Sequence, residues 1–370
     1  MNPVLLTVSG KIDPDIQAKV GRGERPQADY LAMAEAFPAD LLDYSRARGQ
    51  AGRLGRLIEK LGGANLMLAW TCFRLRTRYR VIFTDGEQVG LPLAFLLKFL
   101  AGRNRPAHLM IAHILSVRKK MLLLDLLGLA SHIDAFFVYS TWQKNFIEKR
   151  WHLPPGRVVF TPFMVDAGFF SPGAAGADHN LPGLERQDRP LICAAGLEFR
   201  DYPTLISAVD GLDVQVVLAA ASPWSKRPDT TARQAVPENV IVRRFTQFEL
   251  RQIYEASQFV VMPLYAVNFQ AGVTAILEAM AMEKAVICTR TQGQTDVIRE
   301  GETGIYVPPE DPDALRKAIG FLLDHPEEAE RMGKKGRQLV LEEMSLPCYT
   351  RRLKGWVTAA CRPIAEASAG

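Results

Sequence analysis

Cysteine is scarce in this sequence, and its cysteines are never close together. The chain has five, an odd number, and none forms a C-x-x-C pair. A disulfide framework or a structural zinc site is therefore not expected, which fits a reducing compartment. Cys193 and Cys288 lie inside apolar, strand-like runs and are predicted to be small core residues.

Long apolar runs are also missing. No stretch reaches about 18 uninterrupted apolar residues, so no membrane-spanning helix is predicted. Residues 1–10 do not combine a basic segment with a long apolar one, as a secretory signal peptide would. We therefore expect a cytoplasmic protein. Zinc-finger, helix-turn-helix and RNA-binding aromatic motifs are absent as well, so we expect no nucleic-acid partner.

The composition is otherwise that of a globular protein, with 48% hydrophobic and 23% charged residues in a chain of 370. Its charge is uneven: residues 1–170 hold 23 Lys and Arg against 14 Asp and Glu, whereas residues 171–370 hold 22 against 26. A basic first half indicates an anionic partner on that side, such as a phosphorylated acceptor or a membrane surface. The alternative is a set of solvated arginines scattered over helices.

Two stretches, residues 53–80 and 117–129, mix basic and apolar residues and could make peripheral contact with the inner face of a membrane. The second contains RKKMLLLDLLGL, whose basic end would meet lipid headgroups. The alternative is a core helix with a basic first turn.

From about residue 80, short apolar runs alternate with helical patterns, which predicts a parallel sheet covered by helices. Residues 171–190 are rich in Pro, Gly and charge and read as a linker. The alternation restarts at residue 190. The fold class is therefore α/β, with two Rossmann-like domains (1–170 and 191–345) facing each other across a cleft, where such sheets bind ligands.

Residues 263–309 carry the most specific pattern. A helix beginning near Val273 offers free N–H groups and a positive dipole end to a diphosphate. Gly272 lets the backbone approach, and Thr274 adds a hydroxyl. Glu278 lies in the middle of this apolar helix and needs a partner, which a ribose diol would supply; the alternative is a glutamate facing solvent.

This segment resembles the nucleotide-sugar signature of retaining GT-B glycosyltransferases (glycosyl transferases group 1), the large family that includes sucrose synthases and bacterial phosphatidylinositol mannosyltransferases. Four elements match in order and spacing: Leu277-Glu278-Ala279-Met280-Ala281, Lys284-Ala285-Val286-Ile287, Gly301-Glu302-Thr303-Gly304 and Val307-Pro308-Pro309. The resemblance implies a bacterial enzyme in which residues 346–370 cross back to the first domain.

The resemblance also implies roles for single residues. Glu278 would bind the donor ribose, and the backbone of Ala271, Gly272, Val273 and Thr274 would hold the diphosphate. Gln270 falls where the family has a glutamate facing the donor sugar; it keeps hydrogen-bonding capacity but loses the charge.

A second match covers residues 195–205. It places Gly196 in the turn after a strand and aligns Arg200 with a family lysine that grips the diphosphate. The family arginine falls on Leu197 or Glu198, so the second positive charge would come from Lys226, Arg243 or Arg244. The alternative for Arg200 is a surface residue before a helix.

In the first domain, His113 directly follows an apolar strand, and the resemblance puts it near the sugar and the reaction centre. The alternative is a histidine that caps the next helix. Gly10 and Lys11 follow the first strand, where Gly10 would face the donor and Lys11 the acceptor. Asp85 and Glu87 follow another strand and would also contact the acceptor.

The implied reaction is hexosyl transfer from a nucleoside-diphosphate sugar with retention of configuration, needing no cofactor and no metal. Candidate acceptors are lipid-linked or phosphorylated hydroxyl compounds and cell-envelope glycan precursors. Two D-x-D patterns, at Asp311-Pro312-Asp313 and Asp13-Pro14-Asp15, are read as helix starts or turns rather than metal sites. Two alternatives remain: a non-catalytic scaffold that binds nucleotide sugars, and a nucleotide-sugar epimerase.

Overall fold

A computed structural model of the protein describes residues 2–102, 105–174, 189–219 and 237–361. The chain divides into two compact units. Unit 1 comprises Met1–Gln17, Ala28–Thr161 and Tyr349–Gly370, and unit 2 comprises Ala18–Gln27 and Pro162–Cys348. Most of the expected linker, residues 175–188, lies outside the described part of the chain. Among the described helices, none is long and apolar enough to cross a membrane.

Unit 1 is built on a parallel sheet of six described strands in the order β2-β1-β3-β4-β5-β6. Several of its strands are buried along their whole length, as helices on both faces of a parallel sheet require. The strands are β1 (Val4–Thr7), β2 (Ala39–Leu42), β3 (Val81–Thr84), β4 (Ala107–Ile111), β5 (Ala135–Val138) and β6 (Val158–Phe160).

Eight helices lie between these strands along the described chain, with short 3-10 helices at Arg76–Arg78 and Leu129–His132. They are α1 (Ile16–Gly21), α2 (Asp29–Ala36), α3 (Tyr44–Gln50), α4 (Gly52–Gly62), α5 (Ala64–Leu75), α6 (Glu87–Leu100), α7 (Arg118–Leu127) and α8 (Thr141–Trp151).

Unit 2 has a second parallel sheet of six described strands, in the order β12-β11-β10-β7-β8-β9. These strands are β7 (Leu191–Ala195), β8 (Gln215–Ala219), β9 (Val240–Arg243), β10 (Phe259–Met262), β11 (Ala285–Thr289) and β12 (Gly304–Val307). The described helices that follow in the chain are α9 (Tyr202–Val209), α10 (Gln247–Ala256), α11 (Val273–Ala281), α12 (Pro312–Asp324), α13 (Pro326–Leu339) and, after a π-helical turn at Val340–Met344, α14 (Leu346–Ala360).

Neighbouring residues of the unit 2 strands point to opposite faces of the sheet. Cys193 and Val217 pack into one apolar core, while Ile192 and Val216 pack into another. Helices therefore cover both faces, and the predicted α/β class is confirmed. Cys193 and Cys288 are fully buried, as the sequence predicted.

Candidate functional site

The strand order of unit 2 reverses between two neighbouring strands, β7 and β10. The chain runs from β7 outward through β8 and β9, then returns to add β10 on the other side of β7. Ligands of parallel sheets bind at the carboxyl edge where the strand order reverses. Here the loops after β7 and β10 are joined by backbone hydrogen bonds, from Asp201 to the carbonyl of Pro263 and from Tyr265 to the carbonyl of Phe199, each at 3.0 Å. The loop after β7 carries Gly196 and Arg200, and the loop after β10 leads to Gln270 and Gly272.

Arg200 is buried at this edge, so its alternative reading as a surface residue is wrong. Its Nε donates to the carbonyl of Ala195 at 2.8 Å and its Nη1 to that of Glu198 at 2.7 Å. Burial lowers the pKa of Arg200, because desolvation disfavours the charged form. Within the described residues, no carboxylate forms an ion pair with it. The edge therefore holds a desolvated positive charge that an anion would neutralise.

Two glycines allow this guanidinium to lie against the backbone. Gly196 has φ +96°, and a Cβ there would collide with Nη2 of Arg200. Gly272 has φ +77° and is the residue before α11; a Cβ there would lie 3.4 Å from Cζ of Arg200 and 2.8 Å from Sδ of Met262. Arg200 is thus beside the N-terminus of α11, whose dipole and free N–H groups also favour an anion.

Glu278 lies one and a half turns into α11 and is only 6% exposed, so the solvent-facing alternative is wrong. Its Oε2 accepts a hydrogen bond of 3.0 Å from the hydroxyl of Tyr254, a fully buried residue of α10. Burial raises the pKa of Glu278 to about 7, although the Tyr254 hydrogen bond and the charge of Arg200 oppose the rise. The carboxyl group therefore changes its charge near neutral pH.

Two glutamine side chains near this edge have buried polar atoms without a hydrogen-bond partner. They are Oε1 of Gln270 and both amide atoms of Gln294, which is fully buried. Their loops are in contact, because a Cβ on Gly293 would collide with the backbone of Phe269. Buried polar groups are normally hydrogen-bonded, so the oxygen of Gln270 needs a partner that the described residues do not supply.

The remaining predicted residues of unit 2 are less informative. Ala271 and Val273 are buried, and Thr274 is exposed on the first turn of α11. Lys226 lies outside the described residues. Tyr254 was not identified from the sequence, because only the packing of α10 against α11 brings its hydroxyl to Glu278.

Unit 1 has the same kind of reversal, between β1 and β3. There the Asp85 carboxylate is already satisfied by the chain. Oδ1 accepts from the hydroxyls of Thr7 at 2.6 Å and Ser9 at 2.9 Å, and Oδ2 accepts from the backbone N–H of Ser9 at 2.5 Å. Burial raises the pKa of Asp85, and these hydrogen bonds oppose that rise. Asp85 thus ties the loop after β1 to the end of β3. Gly10 and Lys11 follow in that loop, with Lys11 exposed.

Glu87 is buried and holds the loop that carries His113. Its two oxygens accept from the backbone N–H groups of His113 at 2.9 Å and Ile114 at 3.1 Å, and from Nζ of Lys120 at 2.6 Å. Burial alone would raise the pKa of Glu87, but His113 and Lys120 outweigh it and the pKa is lowered. Glu87 is therefore a carboxylate held ionised inside the unit, and Lys120 is a partner that the sequence reading missed.

His113 is exposed, and its ring is oriented by the backbone. Its Nε2 lies 2.9 Å from the carbonyl oxygen of Asp85, and the ring packs 5.7 Å from that of Tyr139. Asp29, which the sequence reading did not select, begins α2 nearby; burial raises the pKa of its carboxyl group, and the charges of Asp85 and His113 also act on it. In the described part of the chain no group of three His, Cys, Asp or Glu could hold a metal ion.

Comparison with known families places residues 197–325 under the family model described as glycosyl transferases group 1. Similar characterised proteins are the D-rhamnosyltransferase WbpZ of Pseudomonas aeruginosa, 29% identical over 37% of this chain and 36% of the relative, and the alpha-D-kanosaminyltransferase of Streptomyces kanamyceticus, 29% identical over 45% of each. The chain thus spans less than half the length of these two relatives.

Solved structures extend the likeness to nearly the whole chain. Sucrose-phosphate synthase from Thermosynechococcus elongatus superposes with a TM-score of 0.71 at 19% identity, covering 97% of this chain and 99% of the other. Anabaena HepE, solved with UDP and glucose, gives a TM-score of 0.68 at 12% identity over 97% of this chain and 100% of the other. At these identities the likeness establishes the fold, which is GT-B, as the resemblance implied.

Proposed function

We propose that this chain is a group 1 glycosyl transferase, the family whose model matches residues 197–325. It would transfer a sugar from a nucleoside-diphosphate sugar to a hydroxyl-bearing acceptor. The observation that carries the proposal is Arg200, buried without a described carboxylate partner beside the N-terminus of α11. A diphosphate would supply the missing negative charge.

Charge on the leaving group is what this site is suited to stabilise. When the bond between the sugar and the diphosphate breaks, negative charge grows on the leaving oxygen. The Arg200 guanidinium and the free N–H groups at the start of α11 are fixed in place beforehand by hydrogen bonds and packing. Preorganised donors of this kind stabilise a developing charge without further rearrangement.

Glu278 and Gln270 would bind the two ends of the donor. The Glu278 carboxylate would accept hydrogen bonds from the ribose hydroxyls, with Tyr254 holding its Oε2 from the protein side. The unpartnered Oε1 of Gln270 would accept from a hydroxyl of the sugar. His113, with Glu87 and Asp85 fixing its loop, would contact the sugar or the acceptor at the edge of unit 1.

The finer features of the reaction follow the family resemblance. We infer transfer with retention of configuration and without a metal ion, the leaving diphosphate helping to deprotonate the acceptor on the same face. We infer a cytoplasmic enzyme whose acceptor is lipid-linked, phosphorylated or a cell-envelope glycan precursor. The excess of Lys and Arg over Asp and Glu in residues 1–170 supports an anionic acceptor or surface.

One observation favours a second candidate, a scaffold that binds the donor without turnover. Gln270 replaces the glutamate that the family signature places beside the donor sugar, so the site lacks that charge. A scaffold would bind nucleotide sugars through the same Arg200 and Glu278 but would release no nucleoside diphosphate.

A thermal-shift screen tests the proposal, starting with UDP and UDP-sugars because HepE was solved with UDP-glucose. A ligand at about a hundred times its dissociation constant adds about 2.7 kcal/mol to the free energy of unfolding, which gives a clear rise in Tm. Release of nucleoside diphosphate from the bound donor then separates enzyme from scaffold. If no UDP, GDP or ADP compound raises the Tm of folded protein, the proposed donor site is wrong.

A further inference from the structure

Helix α4 of unit 1 exposes three of its four large apolar side chains, and the fourth, Ile58, is half-buried. Leu54 is 52% exposed, Leu57 51% and Leu61 82%. At about 100° of rotation per residue, the three fall within about 60° of one another on the helix surface. They form one continuous leucine stripe, which Leu66 (39% exposed) extends at the start of α5.

The opposite side of α4 explains why the stripe faces outward. The only buried residue of the helix is Gly55, where an added Cβ would lie 2.8 Å from Cδ1 of Trp70 on α5. Trp70 also donates from Nε1 to the carbonyl of Ala51 at 3.2 Å. The helix is thus held against α5 through its smallest residue. Surface helices of soluble domains normally bury their apolar stripe, so another partner must account for these leucines.

Positive charges border the leucine stripe. Arg53, Arg56 and Lys60 are exposed on the adjoining sector of α4, and none has an ion-pair partner among the described residues. The single carboxylate of the helix, Glu59, is occupied by Arg48, whose Nε donates to Oε2 at 2.9 Å. Over residues 46–120 the sequence has 15 Lys and Arg against 3 Asp and Glu. The surface is therefore both apolar and uncompensated in charge.

We propose that α4 docks on an anionic lipid surface, with Leu54, Leu57 and Leu61 entering the boundary between headgroups and acyl chains and Arg53, Arg56 and Lys60 among the headgroups. A short helix with leucines beside cations fits this mode of binding. A protein-binding face would be expected to centre on aromatic anchors, and α4 has none.

A second helix of the same unit presents a similar surface. On α7, Leu122 is 56% exposed and Leu126 73%, and Arg118 and Lys119 are exposed at its start. The sequence pattern had pointed to this stretch. Because Lys120 is occupied by Glu87, fewer cations remain free on α7 than on α4, so α4 is the helix to alter first.

The test is co-sedimentation of the full chain with vesicles of phosphatidylcholine, with and without phosphatidylglycerol. We expect binding to the anionic vesicles only. Arg53→Glu/Arg56→Glu/Lys60→Glu should weaken it by more than about a hundredfold, since each cation near such a surface contributes about a factor of five. Leu54→Gln/Leu57→Gln/Leu61→Gln, which keeps helix propensity, should weaken it at least about tenfold.

Matched variants separate docking from bulk charge and from bulk hydrophobicity. Lys317→Glu/Lys335→Glu/Lys354→Glu changes the net charge equally, and Phe321→Gln/Leu341→Gln removes exposed apolar side chains elsewhere. Both should bind anionic vesicles like the unaltered chain. The proposal is overturned if the α4 variants bind as well as these controls, or if the leucine variant instead turns a dimer in solution into a monomer.

A measurement on the unaltered chain covers the case in which an α4 variant does not fold. Anionic vesicles should slow amide hydrogen exchange in residues 52–62, and neutral vesicles should not. Vesicle binding with unchanged exchange in α4 contradicts the proposal. Neither experiment requires turnover, so failure here leaves the proposed transfer reaction unaffected, and absence of turnover leaves the docking unaffected.

Discussion

At the scale of single residues, Glu278 shows how the position of a residue on a helix determines its pKa. It lies on the buried side of α11, and desolvation raises its pKa to about 7 even though Tyr254 and Arg200 favour the ionised form. Hydrogen bonds from ribose hydroxyls can be accepted by the carboxylate on two oxygens, whereas the protonated acid loses acceptor capacity. Donor binding and deprotonation of Glu278 should therefore favour each other.

This coupling predicts that donor affinity rises with pH. From about pH 6 to about pH 8 the ionised fraction of a group with a pKa of about 7 increases about tenfold, and affinity for a nucleotide sugar should rise by up to that factor. Titration calorimetry of the wild-type chain measures it. A nucleotide sugar is the right probe because its diphosphate is esterified at both ends and does not titrate in this range.

Glu278→Gln is the control, since it keeps the shape but cannot ionise. Its affinity should be lower and independent of pH over the same range. Without ligand, the raised pKa of Glu278 affects the stability of the fold in the opposite direction. The folded state binds the proton more tightly than the unfolded state does. The contribution of Glu278 to stability is therefore present at low pH and is lost as the pH rises through about 7. An affinity of the wild type that falls as pH rises would contradict the ribose assignment.

At the scale of elements, the start of α11 depends on a glycine. Gly272→Ala would place a Cβ on a residue with φ +77°, against Met262 and Arg200. The left-handed conformation alone costs about 1–2 kcal/mol for a residue with a Cβ. We expect a lower Tm and, because Arg200 and the first turn of α11 must shift, at least about tenfold weaker donor binding.

Gly211→Ala separates backbone strain from damage to the site. Gly211 has φ +68°, and nothing lies within 4 Å of an added Cβ. The backbone strain in this variant should lower the Tm by an amount comparable to that in Gly272→Ala, while the donor affinity stays unchanged. Equal affinities for both variants in calorimetry would mean that the α11 N-terminus does not hold the diphosphate.

Local signals in the sequence were sufficient to place several elements. The helix expected near Val273 begins at that residue, and α12 begins as Asp311-Pro312 predicted, with the Asp311 carboxylate accepting from the backbone N–H of Ala314 at 2.9 Å. Such capping is read from neighbouring residues alone. The contact of Tyr254 with Glu278 is not, because it depends on two helices that are packed together only in the folded unit.

The orientation of helix α4 could not be predicted from its sequence pattern. Its leucines and charges are spaced as in any amphipathic helix, and the sequence cannot say which side faces the core. Gly55 decides it, because the close approach to Trp70 leaves the leucines on the outside. The same holds for Glu87, whose three hydrogen bonds come from residues 26 to 33 positions later, two from the loop after β4 and one from Lys120 of α7.

At the scale of the whole molecule, the two units repeat one sheet arrangement but use its carboxyl edge differently. Unit 1 fills its edge with carboxylates that the chain itself satisfies, Asp85 and Glu87. Unit 2 places Arg200 at its edge without a described carboxylate partner. An anionic diphosphate would be attracted to the edge of unit 2, and the proposed donor site lies in that unit for this reason.

This assignment predicts where ligand binding slows hydrogen exchange. At about a hundred times its dissociation constant, a nucleoside diphosphate adds about 2.7 kcal/mol to the stability of the state that binds it. Amide protection should rise in residues 196–205 and 270–281, which include the Arg200 loop and α11, and change little in β4 and β5 of unit 1. Mass-spectrometric exchange on the full chain measures both regions at once. Protection confined to unit 1 would mean that the nucleotide does not bind at Arg200 and Glu278. The cations of residues 1–170 would then have to neutralise the diphosphate.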